Sequence, residues 1–251
     1  MGRFHRHDDG TVHEHDHPHE AGDHTGYRTA AHRVDVLESI FAENDARADI
    51  NRRVFADHGI RVLNLMSSPG SGKTTVLAAT LDELAGELAV GVIEGDIATD
   101  LDAAQLRGRG AQVSLLNTSS GFGGECHLDA PMVNRALQGL DLSGLDLVII
   151  ENVGNLVCPA EFDVGEHAKA MVYSVTEGED KPLKYPVMFR SVDLVLLNKI
   201  DLVPYLDADV DRYVAHVREV NPHATVLPVS ARTGAGMADW FGWLRAFAGG
   251  G

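Results

Sequence analysis

Short apolar runs recur along the chain from residue 61 onward, separated by stretches in which apolar residues return every three or four positions. Runs that are apolar at every position are typical of central parallel strands covered on both faces. Their alternation with helical stretches predicts an α/β fold, with a doubly wound and mostly parallel sheet. The expected strands cover residues 62–66, 90–93, 113–116, 147–150, 171–175, 194–197 and 225–229. The expected helices cover residues 73–88, 100–108, 130–139, 206–220 and 236–247.

The first 60 residues follow a different pattern. Residues 1–32 hold eight of the 13 histidines and almost no aliphatic side chains. Such a segment buries too little surface to offset its chain entropy, so we expect a disordered tail. Over residues 33–60, apolar positions at helical spacing predict one helix from about Asp35, its N-cap, to His58. The chain therefore divides into a tail (1–32), an N-terminal helix (33–60) and a folded domain (61–251).

Composition excludes several classes of protein. The 21 basic and 37 acidic residues give a net charge of −16, which disfavours binding to a nucleic-acid backbone. No apolar run approaches the roughly 18–20 residues of a membrane span, and because the first residues contain no apolar stretch we expect no secretory signal. Two cysteines are too few for a disulfide scaffold. We expect a cytoplasmic protein with reduced thiols.

A phosphate-binding segment follows the first predicted strand. Residues 67–75 read Ser-Ser-Pro-Gly-Ser-Gly-Lys-Thr-Thr, which matches the P-loop pattern except that Ser67 replaces the first glycine. Glycines let backbone N–H groups surround phosphate oxygens, and the following helix presents its positive N-terminus to the same anion. Lys73 can reach the β- and γ-phosphates, and the Thr74 hydroxyl can bind Mg²⁺. The candidate nucleotide-binding residues here are Pro69, Gly70, Ser71, Gly72, Lys73, Thr74 and Thr75.

Guanine is the base that the next motif favours. Asn198, Lys199 and Asp201 follow a predicted buried strand, where a carboxylate can accept hydrogen bonds from guanine N1–H and the exocyclic amine. Adenine offers neither donor in that position, and a buried carboxylate left unpaired is costly. Ser230 and Ala231, after the last predicted strand, resemble the second guanine-contacting loop. Together with the P-loop, these segments predict a GTPase.

Carboxylates for magnesium and water stand at two other strand ends. Asp96 can hold Mg²⁺ or orient the attacking water, and Glu151 stands where many nucleotide hydrolases carry their magnesium-binding aspartate. Gly154 can donate its N–H to the γ-phosphate. The predicted catalytic residues are thus Lys73, Asp96 and Glu151, with Thr74 completing the Mg²⁺ set. No arginine finger is identifiable, so we expect slow intrinsic turnover.

Both cysteines fall in loops beside these residues. Cys126 and His127 end a glycine-rich loop, and Cys158 lies four residues after Gly154. Thiolate and imidazole suit nickel or zinc, but three ligands leave a site incomplete unless a symmetric dimer supplies a second set. Because Cys158 shares a loop with Glu151 and Gly154, the bound nucleotide is expected to influence metal affinity.

Alternating histidines in the tail offer a second place for metal. His13, His15, His17 and His19 are separated by carboxylates and Pro18. Clustered imidazoles bind nickel, copper, zinc or cobalt. The interrupted run differs from a purification tag. A tail that only improves solubility is the alternative interpretation.

Taken together, the phosphate, guanine and cysteine segments of the sequence resemble the hydrogenase nickel-incorporation GTPase family (HypB-type), within the signal-recognition and MinD-related class of P-loop proteins. The match spans roughly residues 61–235, and its most specific parts are the Cys-His-Leu-Asp-Ala and Glu-Asn-Val-Gly-Asn-Leu segments. The segments that carry it are residues 67–75, 94–96, 125–130, 151–160, 184–186 and 198–201.

This resemblance implies a GTP-dependent homodimer that helps deliver Ni²⁺ to the large-subunit precursor of [NiFe]-hydrogenase. A nickel- and zinc-binding partner chaperone is implied as well. By analogy, Cys126, His127 and Cys158 form the metal site at the dimer interface, with Ni²⁺ or Zn²⁺. The N-terminal cysteine motif of some relatives does not carry over, because no cysteine precedes Cys126.

Two alternatives stay open. The urease accessory GTPases share the fold and the nickel role, but their Cys-Pro-His motif is absent here, since Ala160 follows Pro159. A nickel-storage protein with little GTPase activity is the other alternative. GTP turnover distinguishes storage from delivery.

Overall fold

The computed structural model describes residues 5–6, 12–13, 25–95, 106–116, 127–155 and 162–250. The chain divides into two compact units, Met1–Ile40 and Phe41–Gly251. In the first unit, strands β1 (His5–Arg6) and β2 (Val12–His13) form a two-stranded antiparallel sheet.

Helix α1 (Thr25–His58) is longer than the sequence pattern predicted. It begins ten residues before Asp35, so the assignment of Asp35 as N-cap is wrong, as is the expectation of disorder over residues 25–32. The stretch 25–34 contains Ala30, Ala31 and two arginines, which favour helix, and the last proline upstream is Pro18. Nothing in this stretch stops a helix, although it lacks the apolar periodicity on which the prediction relied.

A seven-stranded parallel sheet forms the centre of the second unit, in the order β5-β4-β6-β3-β7-β8-β9. The strands are β3 (Arg61–Ser67), β4 (Val90–Glu94), β5 (Gln112–Leu115), β6 (Leu147–Glu151), β7 (Ala168–Ser174), β8 (Leu194–Asn198) and β9 (Thr225–Pro228). All seven predicted strands are present, which confirms the predicted α/β fold. β3 lies at the centre, so its carboxyl end is flanked by those of β6 and β7.

Helices cover both faces of this sheet, as its two-sided burial requires. The helices after α1 are α2 (Lys73–Leu84), α3 (Ala130–Leu137), α4 (Lys181–Lys184), α5 (Pro186–Arg190), α6 (Val210–Val220) and α7 (Met237–Gly249). On one face, α2 and α7 pack on the strands through side chains such as Leu81 and Trp240. On the other, α1 and α3 contribute Phe55 and Val133, and α6 contributes Tyr213.

One predicted helix needs correction, and two short helices were not predicted. The stretch 206–220 is helical only from Val210, because a 3-10 helix (Ile200–Tyr205) precedes it and ends just after Pro204. The short helices α4 and α5 were not predicted; both are too short for a periodic signal, and each has a proline in its first turn. Most of the predicted helix 100–108 lies outside the described residues.

Among the residues that the structure describes, no helix combines the length and apolar character needed to cross a membrane.

Candidate nucleotide and metal site

The carboxyl end of the sheet gathers the predicted nucleotide-binding residues. β3 leads into the P-loop, β6 ends at Glu151, and β8 ends at Asn198. Ligands of open α/β sheets bind at this edge. Two cavities of about 370 and 410 Å³ open here, and both are lined by Gly72, Thr75 and Lys199.

The first cavity has the form of a phosphate-binding cradle. It is lined by residues 67–75 together with Gly154 and Lys199. Gly70 and Gly72 adopt φ values of 75° and 95°, a left-handed conformation that favours glycine. A Cβ at Gly72 would lie 2.6 Å from Asn198 Nδ2, so a larger residue would collide with the Asn198 side chain. Gly72 directly precedes α2, whose N-terminal N–H groups face an incoming anion.

Lys73, Thr74 and Glu151 meet at the floor of the cradle. Lys73 Nζ donates to Glu151 Oε1 at 2.9 Å, and Thr74 Oγ1 donates to the same oxygen at 3.1 Å. The side chains of Lys73 and Glu151 are only 5% and 1% exposed. The second carboxylate oxygen, Glu151 Oε2, is buried and has no hydrogen-bond partner among the described residues. A hydroxyl beside an incompletely satisfied carboxylate is an oxygen donor set that fits Mg²⁺.

Asn198 connects the base-binding loops to the P-loop. Its Nδ2 donates to Ser71 O at 2.9 Å, and its Oδ1 accepts from Ala231 N at 3.1 Å. Lys199, which has a positive φ of 65°, donates from Nζ to Gly70 O at 2.6 Å. Asn198 therefore braces the base-binding loops against the P-loop, and the Lys199 head is directed to the P-loop backbone.

Asp201 lines the second cavity together with Ala231 and Arg232. Its Oδ1 accepts from Ser230 Oγ at 2.6 Å, and its Oδ2 accepts from Arg232 Nη2 at 2.7 Å. The Ser230 hydrogen bond, reinforced by the Arg232 guanidinium, holds the pKa of the Asp201 carboxyl below its ordinary value. The group is thus an ionised acceptor, as guanine recognition requires. The Arg232 side chain is 74% exposed, so it can move aside when a base enters.

Two residues that the sequence did not single out support the cradle from the segment that follows β7. Glu177 Oε1 accepts from Ser71 Oγ at 2.9 Å. Lys181 Nζ donates to both Glu177 and Ser68 Oγ. The side chains of Glu177 and Lys181 are 13% and 12% exposed. Glu177 and Lys181 stand four residues apart, a spacing that predicts an ion pair between them. The spacing does not predict that this pair contacts the P-loop.

The predicted metal-binding residues are only partly within the described chain. The His127 ring stacks on Phe162, with ring centroids 4.0 Å apart. Among the described residues, no group of three or more histidine, cysteine or acidic side chains is placed to hold a metal ion. His13 lies in β2, where the backbone alone is described. The remaining predicted ligands lie outside the described residues: Asp96, Cys126, Cys158, His15, His17 and His19.

Comparison with known proteins first defines the class. A family model described as the CobW/HypB/UreG nucleotide-binding domain matches residues 61–228. This range begins with β3 and includes the P-loop, Glu151 and the Asn198 to Asp201 segment. The folded part of the chain is therefore a nucleotide-binding domain of this P-loop class.

Individual relatives identify the family within this class. The hydrogenase maturation factor HypB of Azotobacter chroococcum is 52% identical over 214 residues, which cover 84% of this chain and 68% of the relative. The chain belongs to the HypB family of hydrogenase maturation factors. The resemblance noted in the sequence is thereby confirmed.

Solved structures agree with this assignment. HypB of Archaeoglobus fulgidus superposes with a TM-score of 0.76 at 36% identity, covering 82% of this chain and 99% of that one. HypB of Helicobacter pylori, solved in complex with nickel, gives a TM-score of 0.76 at 35% identity, with coverages of 82% and 95%. The similarity therefore extends over nearly the whole of both neighbours.

Proposed function

We propose that this protein is a GTP-hydrolysing nickel metallochaperone that supplies Ni²⁺ for the maturation of [NiFe]-hydrogenase. The observation that carries the proposal is the junction of the phosphate cradle with the cavity of Asp201 through three common lining residues. One guanine nucleotide can occupy both cavities, with its phosphates at Lys73 and its base at Asp201. Membership of the HypB family and the nickel complex of a relative support the metal role.

Hydrolysis would depend on positioning and on neutralisation of charge. Lys73 binds the β- and γ-phosphates, while Thr74, Glu151 and Asp96 are the candidate Mg²⁺ ligands, with Asp96 or Glu151 also able to orient water. Mg²⁺ supplies positive charge to the phosphate oxygens when it is bound. Gly154, at the wall of the cradle, donates its N–H to the γ-phosphate. Because the chain offers no identifiable arginine finger, intrinsic turnover is slow.

Metal binding would use Cys126, His127 and Cys158 as ligands for Ni²⁺, with Zn²⁺ able to occupy the same site. Three ligands from one chain are completed by a second copy in a GTP-dependent homodimer. A nickel- and zinc-binding chaperone and the hydrogenase large-subunit precursor are the proposed partners. Since Glu151 and Gly154 precede Cys158 on one loop, loss of the γ-phosphate changes the metal site and promotes release of the ion.

Two kinds of variant separate the proposed site of Cys126, His127 and Cys158, called the inner site, from metal binding by the histidine tail. We expect Cys126→Ala to remove one tight Ni²⁺ site per protomer or per dimer, because a thiolate ligand is lost. Replacing His13, His15, His17 and His19 by Ala should lower the total nickel capacity and leave the inner site and GTP turnover unchanged. Equilibrium dialysis against Ni²⁺ and a phosphate-release assay measure these effects. An equal loss of tight nickel in both variants would contradict the division into two sites.

The dependence of Ni²⁺ affinity on the bound nucleotide tests whether the protein delivers nickel. The proposal predicts different Ni²⁺ dissociation constants with GDP and with a non-hydrolysable GTP analogue. A nickel-storage protein would show no GTP turnover and no such difference. Hydrogenase activity that fails in a strain lacking this protein, with urease activity retained, would separate hydrogenase maturation from a urease accessory role.

A further inference from the structure

Helix α1 contacts described residues that follow each cysteine of the proposed metal site. We define the first arm as residues 127–130, which follow Cys126, and the second arm as residues 162–165, which follow Cys158. The two arms are far apart in sequence and belong to different connections of the sheet. Their side-by-side placement is therefore a property of the fold, and α1 touches both arms.

Asn44 on α1 bridges the two arms with one carboxamide. Its Oδ1 accepts from Ala130 N of the first arm at 2.9 Å, and its Nδ2 donates to Asp163 O of the second at 2.8 Å. Asn44 is only 3% exposed. Both ends of a buried amide are thus used to hold one arm against the other.

Asn51, two turns further along α1, repeats the arrangement. Its Nδ2 donates to Ala130 O and to Val164 O, each at 3.0 Å, and the residue is fully buried. Close packing accompanies these bonds, since a Cβ at Gly165 would lie 2.8 Å from Ala48 O. A larger residue at Gly165 would push the second arm away from the helix.

A stack of aromatic rings runs from α1 to the proposed histidine ligand. Phe41 packs on Phe162 with ring centroids 5.1 Å apart, and Phe162 stacks on His127 at 4.0 Å with an interplanar angle of 27°. Phe162 belongs to the second arm and His127 to the first. This stack therefore fixes the plane of the imidazole relative to the chain that follows Cys158.

Apolar packing alone would hold α1 against the sheet, as Phe55 already does. Buried amides are costly unless their hydrogen bonds are satisfied, and satisfied ones specify a single geometry. Here two of them, with the aromatic stack, specify the separation of the arms and the direction of the His127 ring. Residues behind metal ligands that orient them in this way commonly change metal affinity by about 10- to 100-fold when they are removed.

We propose that α1 is the positioning element of the metal site, with Asn44 setting the spacing of the two arms and Phe162 orienting His127. This inference rests on the proposed function, because it takes Cys126, His127 and Cys158 as the metal ligands. Asn44 and Phe162 are positioning residues and do not themselves bind the metal.

The test uses the full-length chain and the thiolate-to-nickel charge-transfer absorption. Cys126 and Cys158 are the only cysteines of the chain, so the histidine tail contributes nothing to this band. Ni²⁺ is titrated against a competing chelator for the wild type, Asn44→Ala, Phe162→Ala and Phe162→Tyr. We expect the first two variants to weaken Ni²⁺ binding at this site by about 10- to 100-fold. Phe162→Tyr keeps the stacked ring and should stay within about threefold of the wild type.

A matched control separates positioning from a general loss of stability. Asn221 is another buried asparagine that bridges backbone carbonyls, here Phe189 O and Val192 O at 2.9 Å each, remote from the arms. Asn221→Ala should lower thermal stability and leave the nickel titration unchanged. GTP affinity should be unchanged in Asn44→Ala and Phe162→Ala, because neither residue lines the nucleotide cavities.

Each other outcome has a distinct meaning. Asn44→Ala and Phe162→Ala titrating like the wild type would overturn the inference while the proposed metal site stands. A loss in Phe162→Ala that Phe162→Tyr does not recover would also overturn the role of the stack. A wild-type chain without any thiolate-to-nickel band would instead refute the proposed metal site itself.

Discussion

Lys73→Ala is expected to abolish measurable GTP binding. In the proposed nucleotide site the ammonium supplies charge-assisted hydrogen bonds to the β- and γ-phosphates, each worth about 1.5–3 kcal/mol. Loss of two such bonds lowers affinity by about 10²- to 10⁴-fold. Titration with a fluorescent GTP analogue measures the effect, and unchanged affinity would contradict the assignment of the phosphate cradle.

The same substitution also affects stability, and this effect must be separated from binding. Lys73 and Glu151 form a buried ion pair, and removing one partner of such a pair costs about 3–5 kcal/mol because the other charge stays buried. The double variant Lys73→Ala/Glu151→Gln has no buried carboxylate without its ion-pair partner, so it should regain most of the lost unfolding free energy. It should still fail to bind GTP. Lys169→Ala, at the start of β7, is a lysine control that should bind GTP normally.

Asp201→Asn is expected to change which purine the protein prefers. In the proposed base site the carboxylate accepts from guanine N1–H and the exocyclic amine, whereas an amide can donate to the oxygen that xanthine carries in place of that amine. A site built to pair a substrate donor discriminates strongly when the pairing is lost. We expect the preference for GTP over xanthosine triphosphate to fall by at least about 100-fold. Competition binding with the two triphosphates measures this ratio.

The neighbouring carboxylate Asp207 provides the control. It is exposed, lies six residues further along, and is not among the residues that line the base cavity. Asp207→Asn changes the net charge by the same amount and should keep the GTP preference of the wild type. Retained selectivity in Asp201→Asn would show that another group recognises the base.

The sheet and the nucleotide-binding residues at its carboxyl edge were predictable because each is marked by a short, continuous stretch of sequence. Buried parallel strands appear as apolar runs, and the P-loop and the Asn198 to Asp201 segment each follow such a run directly. Glu151 was predicted from its place at a strand end, and its contacts with Lys73 and Thr74 are those expected of a residue at the cradle floor.

Tertiary contacts between distant segments were not predictable in the same way. Glu177 and Lys181 reach the P-loop from more than 100 residues away, and no spacing in the sequence relates them to Ser68 or Ser71. The start of α1 was also missed, because helix propensity without apolar periodicity leaves only a weak signal. The placement of Cys126 and Cys158 stays a prediction.

The ion pair between Lys73 and Glu151 has a consequence for the form in which the nucleotide binds. Under the proposed function, an entering triphosphate would take the Lys73 ammonium as its counterion and leave the buried Glu151 carboxylate without one. A divalent cation that arrives with the nucleotide would replace the lysine beside this carboxylate. We therefore expect the protein to bind the magnesium complex of the nucleotide more tightly than the bare nucleotide.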